Sequence, residues 1–397
     1  MAAELLAPAG TLERLKWACI YGADAVYFGL EDFSLRSYAG NFTMEDAQEG
    51  IDFLHKHNKK GYATLNIYPF SNEYDKLLAS AKKLSDIGVD GFIVSDLGVI
   101  FELKKLGLKT PIHISTQANT VSSQSVLAYA ELGAKRVNLA RELSLEQIRD
   151  IVNSVGDKVE LEVFIHGAVC FSYSGRCAIS DYLTGRRANR GECTQPCRWK
   201  YYLMEETRPG EYFPVEEDNR GLYFFNSRDI ALFPYVKELS DMGVASLKIE
   251  GRMKNIHYLA TVLTVYRRFL DGKPMDEEEA LRQLLRVNNR GYTHGFMKGN
   301  ITPDDYRWEA GTFLHTSVMA ANTTEQIIDN HRVCEVKNTV AAGEKLEALT
   351  PDGNMFEYIL PNPIKLIDGS EAEKVNNQDT FLIENNLPAY TILRKLL

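Results

Sequence analysis

Over the first 255 positions, the apolar residues of this chain fall into short continuous runs. Glu4–Ala7, Ala25–Gly29, Gly61–Ile67, Gly91–Ser95, Ile112–Thr116, Arg136–Ala140, Glu160–His166 and Ser246–Glu250 are four to seven residues long and rich in Val, Ile, Leu, Phe or Tyr. Runs of this kind suit parallel strands covered on both faces. Between them lie helical patterns at Thr11–Tyr21, Met44–His57, Asn72–Ile87, Ser123–Leu132 and Ser144–Val155, and Ile256–Leu270 follows the last strand as the final barrel helix. Ser144 and Gln147 have the spacing of a capping box. Gly22, Gly88, Gly133 and Gly243 each stand between a helical pattern and the next strand, the place of a left-handed helix-ending residue. Eight strands with such crossovers predict a (β/α)8 barrel of the TIM type. An open doubly wound sheet is the alternative, disfavoured because no Gly-x-Gly-x-x-Gly follows the first strand.

The alternation breaks between residues 167 and 225. Tyr201–Glu205 and Gly221–Phe225 flank a Pro209–Gly210 turn and predict a β-hairpin insertion. A short acidic helix around Asp276–Leu285 and an extended linker, Arg290–Gly311, come next. From residue 315 to 397, β-formers alternate with Gly and Asp-Gly turns, which predicts a small all-β, barrel-like domain. The expected organisation is a barrel domain over 1–305 with a Cys-rich loop and hairpin insertion, then a β domain over 306–397.

Composition narrows the class. The chain has 397 residues, 45% hydrophobic and 25% charged, which excludes a disordered, collagen-like or disulfide-miniprotein chain. The net charge of -9 argues against a uniformly basic nucleic-acid coat, though not against a local basic patch. Glu4 and Pro8 interrupt any signal-peptide pattern, and no apolar run is long enough for a membrane helix. A cytoplasmic protein with no membrane partner is the expectation.

In a reducing compartment clustered cysteines point to metal binding or catalysis. Four of the six, Cys170, Cys177, Cys193 and Cys197, lie within one 28-residue window after the seventh strand. Their uneven spacing favours a [4Fe–4S] cluster over zinc, with redox thiols also open. Between 176 and 200, six basic residues, among them Arg186, Arg187, Arg190, Arg198 and Lys200, face two acidic ones. Such a stretch can meet RNA phosphates, or pair with the Glu-rich hairpin. Function on this fold sits where strands end. Those ends carry Asn66, Gln117, Asn119, Arg141, Glu142, His166, Lys248, Glu250 and Arg252, a rim suited to a polar small molecule or nucleotide. No His-Glu-x-x-His, Gly-x-Ser-x-Gly or Walker A pattern occurs.

The stretch EVFIHGAVCFSYSGRCAIS (162–180) resembles the signature of the peptidase U32 family. LLAPAG (5–10), DAVYFG (24–29), FSLRSYAGNF (33–42), STQAN (115–119), LARELS (139–144), YLTGRRANRGECTQPCRWKY (182–201), FNSRD (225–229) and SLKIEGRMK (246–254) are similar to its motifs too. Some members are described as collagenase-like proteases, others as iron–sulfur factors for oxygen-independent hydroxylation of RNA or quinones. In layout the chain resembles the members that make 5-hydroxyuridine at the tRNA wobble position. That resemblance implies tRNA as partner and prephenate as co-substrate. It also implies Cys170, Cys177 and Cys193 as cluster ligands. Relatives carry a further Cys where this chain has Ala231, which leaves Cys197 as the fourth ligand, an open iron, or no cluster. A cluster lost on aerobic handling is part of the same expectation. Arg36, Asn66, Gln117, Asn119, Arg141, Glu142, Asn226 and Arg252 are the candidate substrate contacts, and His166, Lys248 and Glu250 the candidates for proton transfer. The competing readings are a peptidase and a non-catalytic partner of a second U32 protein.

Overall fold

The structure, a computed structural model, describes residues 2–30, 33–34, 41–170, 172, 177–198, 217–218, 221–222, 227–302, 305 and 313–397. The chain divides into two compact units, one of residues 1–19, 23–253 and 289–313, the other of 20–22, 254–288 and 314–397.

In the first unit eight parallel strands close on themselves. They are β1 (Glu4–Pro8), β2 (Ala25–Gly29), β3 (Lys60–Leu65), β4 (Gly91–Val94), β5 (Ile112–Ile114), β6 (Ala134–Asn138), β7 (Glu160–Gly167) and β8 (Ser246–Ile249). Each pairs with its sequence neighbour, and β8 bonds both β7 and β1, with Ser246 opposite Glu162 and opposite Glu4. The expected (β/α)8 barrel is therefore present, and the open sheet is not. Its crossovers include α1 (Leu12–Ile20), α2 (Met44–Lys56), α3 (Tyr74–Asp86), α4 (Leu97–Lys105), α5 (Ser123–Glu131) and α6 (Leu145–Val155). Ser144 caps α6 in a full capping box with Gln147. The four helix-ending glycines all have positive φ, between 86° and 104°, the left-handed turn that returns the chain to the next strand.

In α4 the apolar residues Leu97, Val99, Ile100, Phe101 and Leu103 spread over about half of the helix, and Leu97 and Phe101 are exposed. The short α8 (Val236–Asp241) spans too few residues to show a period. Between them in sequence, α7 (Ile179–Thr184) lies in the segment after β7. In that excursion Glu217–Asp218 pairs antiparallel with Gly221–Leu222; the predicted hairpin strand 201–205 and the 209–210 turn lie outside the described residues. Asp229–Ala231 then runs antiparallel to the end of β7, with Ala231 opposite His166. Gly167, at φ +108°, makes the β7 exit possible: a Cβ there would sit 2.7 Å from the Glu250 carbonyl oxygen.

The second unit holds an antiparallel all-β region, as expected from the sequence. Its eight-stranded sheet centres on Ser317–Ile328, flanked by His331–Val336 and Ile392–Leu396. Asp329 and Asn330, with φ of 46° and 60°, make the tight turn between the first two. Ile256–Leu270, expected as the last barrel helix, is α9 and belongs to this unit, as does α10 (Glu277–Leu284). Residues Ile256 to Tyr266 of α9 are all buried. No described helix is long and apolar enough to cross a membrane.

Candidate functional site

Because all eight strands are parallel, their C-terminal ends share one rim. Asn66, Gln117, Arg141, Lys248, Glu250 and Arg252, six of the sequence candidates, line one small polar cavity there. Tyr27, Thr64, Ile93, Ser115, Thr116 and Phe164 complete its walls. The Arg252 guanidinium is buried and donates from Nη1 to Thr64 Oγ1 at 3.2 Å. Thr64 in turn shares a hydrogen bond with Ser34 at 3.1 Å. Arg141 donates from Nη1 to the Ala168 carbonyl at 3.0 Å and lies over the Phe164 ring at 4.3 Å. The Lys248 ammonium sits 4.5 Å from the Tyr27 ring centroid. The Tyr27 hydroxyl donates to the Ile249 carbonyl at 3.0 Å, with Glu250 Oε2 at 3.5 Å. Three cations against the Glu250 carboxylate, in a restricted space, give a cavity suited to a carboxylate-bearing ligand.

Beneath it the barrel interior is charged. Glu162 Oε1 accepts from Lys248 Nζ at 2.8 Å and from Asn138 Nδ2 at 2.6 Å, while Arg136 Nη1 stands 3.5 Å from Oε2. Arg136 also donates to Glu4 at 2.6 Å and to Glu160 at 2.8 Å. Burial alone would raise the Glu162 carboxyl, but Lys248 and Arg136 hold it at about 2. His113 is driven the other way: burial first, and then the Arg136 charge, lower its imidazole to about 3. This layer fixes the Lys248 side chain from below and keeps its ammonium paired.

A second, larger cavity of about 350 Å³ opens beside the first, and Arg141 lines both. Glu142, Cys170, Arg228 and Asp305 supply polar groups; Val169, Ile230, Phe296 and Ile301 supply apolar ones. Asp305 is held inside the loop, accepting from Thr293 Oγ1 and from the Thr302 backbone N–H at 2.6 Å.

The other sequence candidates fall elsewhere. His166 is buried with its ring 5.4 Å from that of Tyr292, and it lines neither cavity. Asn119 ends a short helical turn with φ +53° and is likewise outside both. Arg190 is bound to Glu73, with one contact at 2.7 Å, and lies over the Phe70 ring at 4.7 Å. Arg187 approaches Asp181 at 3.9 Å and Phe70 at 5.4 Å, while Arg186 is half-buried. Arg36, Lys200, Asn226 and the Arg198 side chain lie outside the described residues. Cys170 and Cys193 are exposed, Cys177 and Cys197 half-buried, and none forms a disulfide. Among the described residues no three His, Cys, Asp or Glu side chains converge as a metal site. The thiols have the chemistry of cluster ligands but not the arrangement.

Glu162, Arg136 and Asn138 escaped the sequence reading. Their signal was present, because charged residues at alternate positions of otherwise apolar strands must point into the barrel.

The family model described as Peptidase family U32 matches residues 10–306. A protein of Escherichia coli strain K12 named tRNA hydroxylation protein P is 38% identical over 398 residues, covering 89% of this chain and 87% of its own length. The tRNA hydroxylation protein P1 of Bacillus subtilis strain 168 is 41% identical over 302 residues, 75% of this chain and 71% of its own. A protein of Porphyromonas gingivalis named Collagenase is 30% identical over 312 residues, 75% of this chain and 73% of its own.

Proposed function

The chain belongs to the peptidase U32 family, and on that footing we propose that it takes part in tRNA hydroxylation, converting the wobble uridine to 5-hydroxyuridine without molecular oxygen. The observation that carries this reading is the polar rim cavity, where Arg141, Lys248 and Arg252 converge. It supports capture of a carboxylate group of a co-substrate, with prephenate as the candidate, beside a larger cavity able to take part of an RNA. Glu250, near the Tyr27 hydroxyl, is the candidate proton carrier in it. On this reading the protein works in the cytoplasm, where tRNA is met, with a second U32 protein as a candidate partner.

Cys170, Cys177, Cys193 and Cys197 are proposed as ligands of a [4Fe–4S] cluster, which would supply redox chemistry. Since no three described donors converge, cluster binding on this proposal draws the 170–197 segment together. Anaerobic purification with iron and sulfide analysis tests it: about four irons per chain, lost in Cys170→Ala, are expected. A colourless protein with one tight zinc rejects the cluster.

The function is tested in cells lacking the native gene. Arg252→Met is expected to fold and to abolish 5-hydroxyuridine in tRNA, read by nucleoside mass spectrometry. Normal hydroxyuridine rejects the proposal. Peptide cleavage by the purified protein that survives Arg252→Met and iron chelation points instead to a peptidase.

A further inference from the structure

Two buried polar atoms stand out on adjacent residues in the turn that follows β6. Arg141 Nε and Glu142 Oε2 are both shielded from solvent, and neither has a hydrogen-bond partner among the described residues. An unpaired carboxylate oxygen in such a position is costly and calls for a ligand. Both residues line the cavity of about 350 Å³, which is within the roughly 300–1,000 Å³ usual for small-ligand pockets. The rest of the wall is mixed. Val169, Ile230, Phe296 and Ile301 give apolar faces, and Arg228 adds a second guanidinium. Asp305 is already committed to Thr293 and Thr302, so it serves the loop rather than a ligand.

We infer that this cavity receives the target uracil, turned out of the RNA strand, with Glu142 and Arg141 reading its edge. The inference rests on the tRNA reading above and adds where the base sits and what recognises it. A uracil edge presents one N3–H between two carbonyl oxygens. A carboxylate accepts from that N3–H, and a guanidinium N–H donates to a flanking carbonyl. Cytosine presents a bare N3 lone pair at the same point, which a carboxylate repels. The apolar faces take the flat sides of the ring, the arrangement by which enzymes hold an extruded base. Arg228 is placed to meet the strand's phosphates. Arg141 lines both cavities, so the base and the carboxylate ligand would be neighbours across one side chain.

The test uses a tRNA anticodon stem-loop with 4-thiouridine at the wobble position, irradiated on the full-length protein and mapped by peptide mass spectrometry. Crosslinks are expected in the peptides holding Arg141–Glu142, Val169–Cys170 or Phe296. Binding of the unmodified stem-loop is expected to weaken roughly tenfold when the wobble uridine becomes abasic or cytidine. Glu142→Gln should erase the preference for uridine over cytidine, and Phe296→Ala the preference for uridine over the abasic loop, both while retaining the residual affinity for the stem. Tight binding with crosslinks confined to other surfaces overturns the pocket and leaves the RNA reading standing. Equal affinity for all three loops does the same. No binding of any stem-loop overturns both.

Discussion

Glu162→Gln isolates the electrostatics on which the site rests. The substitution keeps the volume of the side chain and removes only its charge. In the native barrel that charge accepts from Lys248 at 2.8 Å and faces Arg136 at 3.5 Å, all of them buried. Holding a carboxyl that ordinarily titrates near 4.5 at about 2 corresponds to roughly 3 kcal/mol of folding stability. Breaking one side of a buried ion pair costs about 3–5 kcal/mol by a separate route, because the abandoned charge stays desolvated. Both put the loss near 3 kcal/mol at neutral pH. The folded value lies below the unfolded one. The stabilisation is therefore complete above about pH 4.5 and drains away as pH falls toward about 2. Urea unfolding of both proteins across this range, followed by circular dichroism, gives the difference. A gap of about 3 kcal/mol that is flat at neutral pH and closes in acid is expected. Replacing both partners, Glu162→Leu with Lys248→Met, should recover part of the loss, since apolar isosteres leave no orphaned charge. Equal stability at neutral pH, or a gap that stays open in acid, refutes the account.

His113 should stay neutral from about pH 8 down to about pH 4, because its lowered value near 3 reflects burial and the Arg136 charge; an imidazole NMR titration near 6.5 would count against that environment. Gly29→Ala places a Cβ 2.2 Å from Arg252 Nη1 and 2.3 Å from Ser34 Oγ, so the guanidinium must leave its position. A loss of about 1–3 kcal/mol is expected with loss of hydroxyuridine in tRNA, and a variant with native modification levels refutes the placement of Arg252. In the second unit Arg394 is fully buried, donating to Glu347 at 2.8 Å, Thr261 at 3.2 Å and Gln283 at 2.5 Å. Arg394→Met should cost about 3 kcal/mol, read as faster amide exchange in Ile392–Leu396 with the barrel strands unchanged; protection equal to the native protein's rules out the network as a support.

What was legible in the sequence follows from where the information is stored. A parallel strand covered on both faces must be continuously apolar, so the eight strands announced themselves. The glycine after a helix is set by backbone sterics alone, and Gly22, Gly88, Gly133 and Gly243 marked the returns to the sheet. Once the strands are parallel, chain order alone sends their last residues to one rim, and so Asn66, Gln117, Arg141, Lys248, Glu250 and Arg252 could be named before any of them had a neighbour. Pair partners are a different kind of fact. Glu73 and Arg190 lie in loops after different strands, and nothing local to the arginine-rich stretch says that one of its charges is already neutralised. Glu162 lay between these cases. Reading its strand as an apolar run passes over the carboxylate, whereas its parity with Arg136, Asn138 and Lys248 on neighbouring strands is available. The same reasoning orders the remaining chemistry. Rim position is enforced by the barrel, so the polar cavity forms whether or not a ligand is present. Convergence of the four thiols is enforced by nothing in the described fold, since they sit on a long excursion between β7 and β8. A bound cluster would have to supply that convergence itself, and cluster loss should then loosen the excursion while leaving barrel and rim intact.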